Sequence, residues 1–381
     1  MTKSDEFQLA GPTPNPWFAT LPRYEPGRPL EEVARELGVD GIDEIVKLAS
    51  NENALGPSPK AVAAMQAVAG RMHLYPDGDA FYLREALAQK LDIPATHILP
   101  GNGSNELIEL LGHVFLDQDS EIVMSQYAFV IYKLVALLFN ARTITVPASG
   151  FGHDLEAMRA AITPRTKLVF IANPNNPTGT QVDAGALDRF VADIPEHVCV
   201  VLDEAYVDLL LPGQQPASVS YVRAGRPVCI LRTFSKGYGL AGLRVGYAIG
   251  QPEFLHWLNR ARQPFNVNYM AQTAAIAALA DDAHLAASRQ MVRSGLAQLT
   301  AGLEKLGMAY VPSVANFLLV KVGAGREVFA ALQQQQVIVR PLDGYGLPEY
   351  VRVTVGRAEE NVKFLKALAA VMAERRDLEP A

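Results

Sequence analysis

The chain has 381 residues, of which 49% are hydrophobic, 8% aromatic and 19% charged, a composition that excludes disorder over most of its length. Its 34 basic and 40 acidic residues give a net charge of −6, so nucleic acid and anionic membranes are poor partners and any anion site must be built locally. The apolar runs are shorter than the roughly 20 residues of a membrane span, and Met1 to Ala10 lack the apolar stretch of a signal peptide. We therefore expect a soluble, cytoplasmic protein whose two cysteines, Cys199 and Cys229, are small buried hydrophobes.

The first forty residues are rich in proline and glycine, notably from Gly11 to Pro16 and from Tyr24 to Gly27. This composition is typical of an extended arm and not of a domain. A short helix is predicted over 30–37, because Pro29 precedes it and Gly38 follows it. We take residues 1–45 as an N-terminal arm and short helix that pack with a smaller domain.

Between Asn105 and about Ala280, strand-like apolar runs alternate with helical patterns, which predicts a parallel sheet with crossover helices. Three runs are apolar almost throughout, as in strands buried on both faces. They are Lys167–Ala172, Val198–Leu202 and Val228–Leu231. We assign residues 46–280 to a large domain built on this sheet.

The pattern changes after residue 280, where longer helices alternate with short strands. The predicted elements are helices at 284–306 and 326–335, strands at 317–322, 337–340 and 350–355, and a last helix at 359–375. They indicate a smaller α+β domain over residues 281–381. The fold class is therefore α/β, with a large domain whose mostly parallel central sheet is sandwiched by helices, a smaller α+β domain and an N-terminal arm.

Each of the three apolar runs is followed by polar residues. The first is followed by Asn173 to Gly179, the second by Asp203 to Tyr206, and the third leads through Arg232 to Lys236. Ligands bind beyond the carboxyl ends of strands in open parallel sheets. The sequence thus delivers an amide, a carboxylate and a lysine to one edge of the sheet.

A fourth segment, Leu99 to Asn105, leads into an apolar helix through Gly101 and Gly103, with Ser104 as the expected N-cap. Such a helix N-terminus is an anion site, typically for phosphate. A lysine, a carboxylate and a phosphate cradle together suggest pyridoxal phosphate, whose aldehyde needs an amine and whose pyridine nitrogen needs a carboxylate. The seven histidines form no cluster at metal spacing with Cys, Asp or Glu, so we expect no metal.

At these residues the chain resembles the fold-type-I, aspartate-aminotransferase-like enzymes that use pyridoxal phosphate, and more narrowly the histidinol-phosphate aminotransferase family. The resemblance covers nearly the whole chain. It rests on ten motifs in order: Lys47–Asn53, Tyr75–Asp77, Gly101–Ser104, Asn173–Gly179, Asp203–Tyr206, Thr233–Lys236, Gly239–Tyr247, Pro264–Asn268, Asn316–Phe317 and Val351–Gly356.

The resemblance implies a role for each matching residue. Lys236 bonds to the cofactor and acts as the general base, Asp203 pairs with the pyridine nitrogen, and Tyr206 contacts the ring oxygen. The other implied cofactor contacts are Asn176 at the ring oxygen, Phe129 stacked on the ring, and Ser104, Asn105, Ser235 and Arg244 at the phosphate.

The resemblance also implies a homodimer with shared active sites, in which Tyr75 reaches the phosphate of the neighbouring subunit. Arg352 is expected to bind the anionic group of the substrate, with Arg340, Tyr24 and Asn53 completing that pocket.

Three positions depart from the family pattern. Asn105 stands where the family often has Asp, so whether it contributes by side chain or backbone stays open. Ala54 replaces a common Pro, and Gly237-Tyr238 replaces a frequent Ala-Phe. None of these changes removes a group that the chemistry requires.

The predicted activity is transamination of L-histidinol phosphate with 2-oxoglutarate, giving imidazole-acetol phosphate and glutamate, as a step of histidine biosynthesis. Three alternatives remain from the sequence. An aromatic amino acid aminotransferase shares nearly all the motifs, and a phosphothreonine-like decarboxylase shares the cofactor site. A cofactor-binding regulatory domain is disfavoured, because the N-terminal arm is too short and not basic enough for a DNA-binding module.

Overall fold

Helices and strands alternate along most of the chain in the computed structural model, which describes residues 12–22, 29–39 and 41–378. The strands are β1 (Val46–Lys47), β2 (Ile98–Gly101), β3 (Glu121–Ser125), β4 (Arg142–Val146), β5 (Thr166–Ala172), β6 (Cys199–Asp203), β7 (Val228–Thr233), β8 (Gly246–Ile249), β9 (Tyr310–Val311), β10 (Phe317–Lys321), β11 (Val337–Ile338), β12 (Arg340–Pro341) and β13 (Tyr350–Thr354). The helices are α1 (Leu30–Leu37), α2 (Pro59–Val68), α3 (Phe81–Leu91), α4 (Ser104–Phe115), α5 (Val130–Leu138), α6 (Leu155–Ala160), α7 (Ala184–Ala192), α8 (Val219–Arg223), α9 (Pro252–Ala261), α10 (Tyr269–Leu279), α11 (Asp282–Lys305), α12 (Gly325–Gln334) and α13 (Ala358–Leu378). Over those same residues, no helix has both the length and the apolar character to cross a membrane.

Seven strands form the central sheet in the order β2-β8-β7-β6-β5-β3-β4. The five neighbouring strands β7, β6, β5, β3 and β4 are parallel to one another. Strand β8 runs antiparallel to both β7 and β2. The prediction of a mostly parallel central sheet flanked by helices is therefore confirmed. The three apolar runs are the adjacent strands β5, β6 and β7 in its middle.

Alternate side chains of these middle strands enter two separate cores. Val169 and Ile171 of β5 pack into one core, while Leu168 and Phe170 pack into the other, and all four are 0% exposed. The side-chain period of a strand is two, so a strand covered on both faces needs apolar residues at every position. This requirement explains why the sequence runs lack the alternation of a half-exposed strand.

Beyond α11 the chain forms a second sheet, antiparallel, in the order β12-β13-β10-β9. A separate parallel pair joins β1 to β11, with Val46 opposite Val337. Helix α1 buries Val33 and Ala34 in a small cluster that includes Ile338. The short N-terminal helix thus packs on the C-terminal part of the chain, and the domain boundaries at residues 45 and 280 stay predictions.

Two predicted elements differ from the structure. The strand expected over 337–340 is two strands, because β11 pairs with β1 whereas Arg340 turns to pair with Arg352 of β13. The arm is not wholly extended: Pro16–Thr20 is a 3₁₀ helix, and the indole N–H of Trp17 donates to the carbonyl oxygen of Leu138 at 3.2 Å. A proline at the first helical position favours this turn.

Candidate functional site

The carboxyl ends of β5, β6 and β7 and the N-terminus of α4 open into one cavity of about 280 Å³. Most of the residues that the sequence singled out line it. These are Ser104, Asn105, Phe129, Asn176, Asp203, Tyr206, Ser235, Lys236, Arg244, Arg340 and Arg352. The parallel sheet brings them together because its strands end at one edge.

Asp203 ends β6 and is 5% exposed. Its Oδ2 accepts a hydrogen bond from the Tyr132 hydroxyl at 2.6 Å, and its Oδ1 accepts one from the backbone N–H of Ala205 at 3.2 Å. Burial raises the pKa of the carboxyl above its ordinary value, and these donors and the Lys236 charge oppose that rise. The cavity therefore contains a desolvated carboxylate that a cationic partner would stabilise.

Lys236 follows β7, and its Nζ donates to the carbonyl oxygen of Ser50 at 3.0 Å. Burial, and then the nearby positive charge of Arg352, lower the pKa of this amine to about 7. At neutral pH a large fraction of Lys236 is therefore an uncharged amine, the form that acts as a nucleophile or base.

The first turn of α4 faces the cavity, and the N–H groups of a first helical turn have no partner within the helix. Gly103 precedes it with a φ of +79°, and a Cβ at this position would lie 2.7 Å from the guanidinium of Arg244. Only glycine fits both requirements. The Ser235 hydroxyl, which accepts from Thr233 Oγ1 at 2.9 Å, also lines this end of the cavity. Helix N–H groups, two hydroxyls and a guanidinium form a cradle suited to a phosphate.

Ser104 is not the N-cap that the sequence predicted. It is the first residue of α4, while Gly103 occupies the cap position without a side-chain bond. The left-handed φ of Gly103 turns the chain one residue before Ser104. Ser104 lines the cavity, and its hydroxyl does not cap the helix.

Arg352 and Arg340 also line the cavity. Arg352 donates to Asn176 Oδ1 at 2.6 Å and to the carbonyl oxygen of Ala49 at 2.8 Å, and it is 7% exposed. The two arginines are direct partners across β12 and β13, so their side chains leave the same face of the sheet. Two guanidinium groups on one face of a sheet can bind the same anion through their forked donors.

Two predicted residues, Asn53 and Tyr75, lie elsewhere. Asn53 is absent from the lining of the cavity, and its side chain amide donates to the Gly237 carbonyl oxygen at 3.0 Å and to Ser288 Oγ at 2.9 Å. Tyr75 is 83% exposed and stacks on Phe265 with ring centroids 4.7 Å apart. Tyr24 lies outside the described residues.

The sequence alone did not reveal Tyr132, which follows Phe129 by three positions and has the pattern of an apolar residue on the inner face of α5. It also missed the pair between Glu204 and Arg232, in which Oε2 lies 2.9 Å from Nε and 2.8 Å from Nη2. This largely buried pair links the residue after Asp203 to β7, which leads to Lys236. A Glu directly after the predicted catalytic Asp, with an Arg on the next strand, is the signal that could have revealed it.

In the described ranges no group of three or more His, Cys, Asp or Glu side chains is placed to hold a metal ion, and Cys199 and Cys229 are buried free thiols.

The cavity offers an amine, a carboxylate, a phosphate cradle and a pair of guanidinium groups. This set can bind anions at the cradle and at the guanidinium pair, and its amine can move a proton.

Comparisons with known proteins agree with this geometry. Residues 43–368 match the family model for aminotransferase class I and II. Histidinol-phosphate aminotransferase 1 of Nitrosococcus oceani is 50% identical over 357 residues, which cover 93% of this chain and 96% of that protein. The histidinol-phosphate aminotransferase of Moorella thermoacetica is 51% identical over 352 residues, covering 92% and 90%. A crystal structure of histidinol-phosphate aminotransferase from Sinorhizobium meliloti in complex with pyridoxal-5'-phosphate aligns with a TM-score of 0.85 and 27% identity, covering 96% of this chain and 98% of that one.

Proposed function

The chain belongs to the class I and II aminotransferases, and from this premise we propose that it transaminates L-histidinol phosphate with 2-oxoglutarate, giving imidazole-acetol phosphate and glutamate, in histidine biosynthesis. The observation that carries the proposal is one cavity that combines a lysine of near-neutral pKa, a buried carboxylate, a phosphate cradle and a cross-strand pair of arginines.

The site fits pyridoxal phosphate as the resident cofactor. Gly103 leaves room for the Arg244 guanidinium beside the N-terminus of α4, where a Cβ would displace that guanidinium. Asp203, which lines the same cavity, is a buried carboxylate suited to the protonated ring nitrogen of the cofactor. In the proposed arrangement Ser104, Asn105, Ser235 and Arg244 hold the phosphate, Asn176 and Tyr206 contact the ring oxygen, Phe129 stacks on the ring, and Lys236 forms the covalent link.

Bound pyridoxal phosphate supplies an electron sink for the pair that remains when the Cα–H bond of the donor breaks. Once the donor amine has replaced it on the cofactor, the freed Lys236 Nζ would take the proton from that carbon and deliver it to the cofactor carbon that the lysine had occupied. This transfer needs the neutral amine, which the pKa of about 7 provides near neutral pH. Asp203 keeps its charge opposite the ring nitrogen and so maintains the electron sink throughout.

The pair of arginines, Arg340 and Arg352, explains why the pocket would prefer L-histidinol phosphate as the amine donor. L-Histidinol phosphate has a phosphate and no carboxylate, whereas 2-oxoglutarate has two carboxylates. A guanidinium binds either anion through forked donors. Because Arg340 and Arg352 lie side by side, the pocket favours a doubly charged group over the single carboxylate of an aromatic amino acid. In this proposal Tyr24 completes the pocket from the arm.

We further propose a cytoplasmic homodimer. Tyr75, Phe81 and Tyr82 are 83%, 54% and 73% exposed, together with Phe265 at 44%. Clustered exposed aromatic residues are typical of protein interfaces. In a dimer, Tyr75 would leave solvent and contact the phosphate end of the neighbouring cavity.

The test is an assay of purified holoenzyme with 2-oxoglutarate and a panel of donors: histidinol phosphate, phenylalanine, tyrosine and phosphothreonine. The proposal predicts one glutamate formed for each imidazole-acetol phosphate, without release of carbon dioxide. Preference for phenylalanine or tyrosine would establish the aromatic aminotransferase instead. Carbon dioxide released from phosphothreonine would establish the decarboxylase.

A further inference from the structure

Asn51 follows β1, is 1% exposed, and has all four of its polar groups hydrogen-bonded. Its backbone N–H donates to Thr354 Oγ1 at 2.9 Å, and its carbonyl oxygen accepts from Asn316 Nδ2 at 3.1 Å. Its Oδ1 accepts from Thr354 Oγ1 at 3.1 Å, and its Nδ2 donates to the Tyr206 hydroxyl at 2.9 Å. Its φ of +54° is a left-handed conformation that Asn tolerates better than most residues. The residue is therefore fixed in backbone and side chain alike.

The count of protons fixes which way the side-chain amide of Asn51 faces. The backbone N–H can only donate, so the Thr354 oxygen accepts there and has its own proton to give to Oδ1. The amide group left to face Tyr206 is then the NH₂, which donates. A phenol has a single proton, and this contact does not use it.

We infer that Asn51 is a positioning residue that leaves the Tyr206 hydroxyl as a hydrogen-bond donor directed into the cavity. If the amide faced the other way, Oδ1 would accept the phenol proton and Tyr206 could only accept from a ligand. The titratable and charged groups around Tyr206 are Arg352, Asp203, Lys236, Tyr132 and Tyr345. Burial dominates and raises the pKa of the phenol to about 12, so its proton is present across the neutral range.

Two neighbours of Asn51 also contact the site. The carbonyl oxygen of Ala49 accepts from Arg352 at 2.8 Å, and that of Ser50 accepts from Lys236 at 3.0 Å. Three consecutive residues thus contact three different functional side chains, and only the contact of Asn51 is made by a side chain. Substitution of Asn51 can therefore change the Tyr206 contact while the two backbone contacts remain.

The effect of Asn51 on the cofactor rests on the proposed function, in which Tyr206 contacts the ring oxygen of bound pyridoxal phosphate. A hydrogen bond donated to that oxygen stabilises its negative charge. The lysine-bound cofactor then loses its proton at a lower pH. Loss of the Asn51 amide should raise the pH midpoint of the visible absorbance of the holoenzyme by about one unit or less, since a single hydrogen bond is involved.

The experiment titrates this absorbance with pH in seven holoenzymes: wild type, Asn51→Gly, Thr354→Val, Thr354→Ser, Tyr206→Phe, the Asn51→Gly/Tyr206→Phe double variant and a control, Asn140→Gly. Glycine retains the left-handed backbone, so Asn51→Gly removes only the side chain. Asn140→Gly is the matched control, because Asn140 is exposed and has a φ of +57°. Circular dichroism melts of the apoproteins report whether each variant folds.

The inference predicts that Asn51→Gly, Thr354→Val and Tyr206→Phe all raise the midpoint. Thr354→Ser, which keeps the hydroxyl, should restore the lower value. In the Asn51→Gly/Tyr206→Phe double variant, the Asn51 change should add no further shift, because it acts through the phenol.

Two results would overturn the inference: an unchanged midpoint in folded Asn51→Gly, or the same shift from that change with and without the Tyr206 hydroxyl. If Asn51→Gly fails to fold, Thr354→Val and Thr354→Ser are compared instead. Equal midpoints in these two variants would then overturn the inference. A wild-type chain whose spectrum does not respond to pyridoxal phosphate would refute the proposed function itself, and that outcome is distinct from both.

Discussion

Tyr132→Phe is the perturbation that tests the Asp203 site most sharply, because it removes one oxygen atom and keeps the ring. That oxygen donates to Asp203 Oδ2 at 2.6 Å, while the ring stacks on Phe170 with centroids 4.4 Å apart and planes 11° apart. Packing should therefore be retained. A hydrogen bond to a charged group contributes about 1.5–3 kcal/mol, which corresponds to about 1–2 pKa units.

The direction in which the pKa of Asp203 shifts depends on which form of the carboxyl the Tyr132 hydroxyl stabilises. The Tyr132 hydroxyl stabilises the carboxylate and lowers its pKa, so removing it raises the pKa of Asp203. A more basic carboxylate draws the shared proton away from the cofactor's ring nitrogen and weakens the electron sink. The single-turnover rate of donor Cα–H cleavage should fall about 10-fold, with about 100-fold as the upper limit.

The assay is stopped-flow absorbance with histidinol phosphate at pH 7, beside the dissociation constant of pyridoxal phosphate. Tyr221→Phe is the matched control, since Tyr221 donates to Asp188 Oδ1 at 2.5 Å on the exposed surface. The control should cleave the bond at the wild-type rate. If Tyr132→Phe is as fast as Tyr221→Phe, the role given to the Tyr132 hydroxyl is refuted.

Three further predictions concern the same cavity. The rate at which apoprotein captures pyridoxal phosphate should rise with pH through a midpoint near pH 7 and level off above about pH 8, because only the neutral Lys236 amine reacts and its pKa is lowered to about 7; a rate that still climbs up to about pH 10 in rapid-mixing experiments would contradict the lowered pKa. Asp203→Asn should slow Cα–H cleavage far more than it weakens cofactor binding, measured by single turnover and by equilibrium titration, and an unchanged cleavage rate would count against the ring-nitrogen role. Mixing inactive Tyr75→Ala and Lys236→Ala chains should restore part of the activity, since a mixed dimer has one intact site; full activity in a monomer verified by ultracentrifugation would rule out shared sites.

The parts of this structure that the sequence predicted are those that short-range pattern determines. The strands β5, β6 and β7 are continuous apolar runs because both of their faces are buried. Their polar ends reach one edge because parallel strands share a direction. The sequence alone could therefore predict that Asp203 and Lys236 lie in the same site.

The parts that it missed depend on contacts between distant positions. Asn51 bonds to Thr354 across 303 positions of sequence and to Tyr206 across 155, and neither pairing leaves a local pattern. Tyr132 reads as an inward apolar residue of α5 because its hydroxyl partner lies on another element. Ser104 was predicted as a cap because Ser is a favoured cap residue, but the left-handed turn at Gly103 precedes it.

The most direct test of the proposed function is the ratio of kcat/KM for histidinol phosphate to that for phenylalanine, in wild type and in Arg340→Ala. Arg326→Ala is the control, because Arg326 forms a solvent-exposed pair with Asp343 on the same part of the chain. The proposal predicts that wild type prefers histidinol phosphate. It also predicts that Arg340→Ala lowers kcat/KM for this donor by about 10–100-fold and for phenylalanine by much less. A wild-type preference for phenylalanine, or an equal loss for both donors in Arg340→Ala, would contradict the account of selectivity.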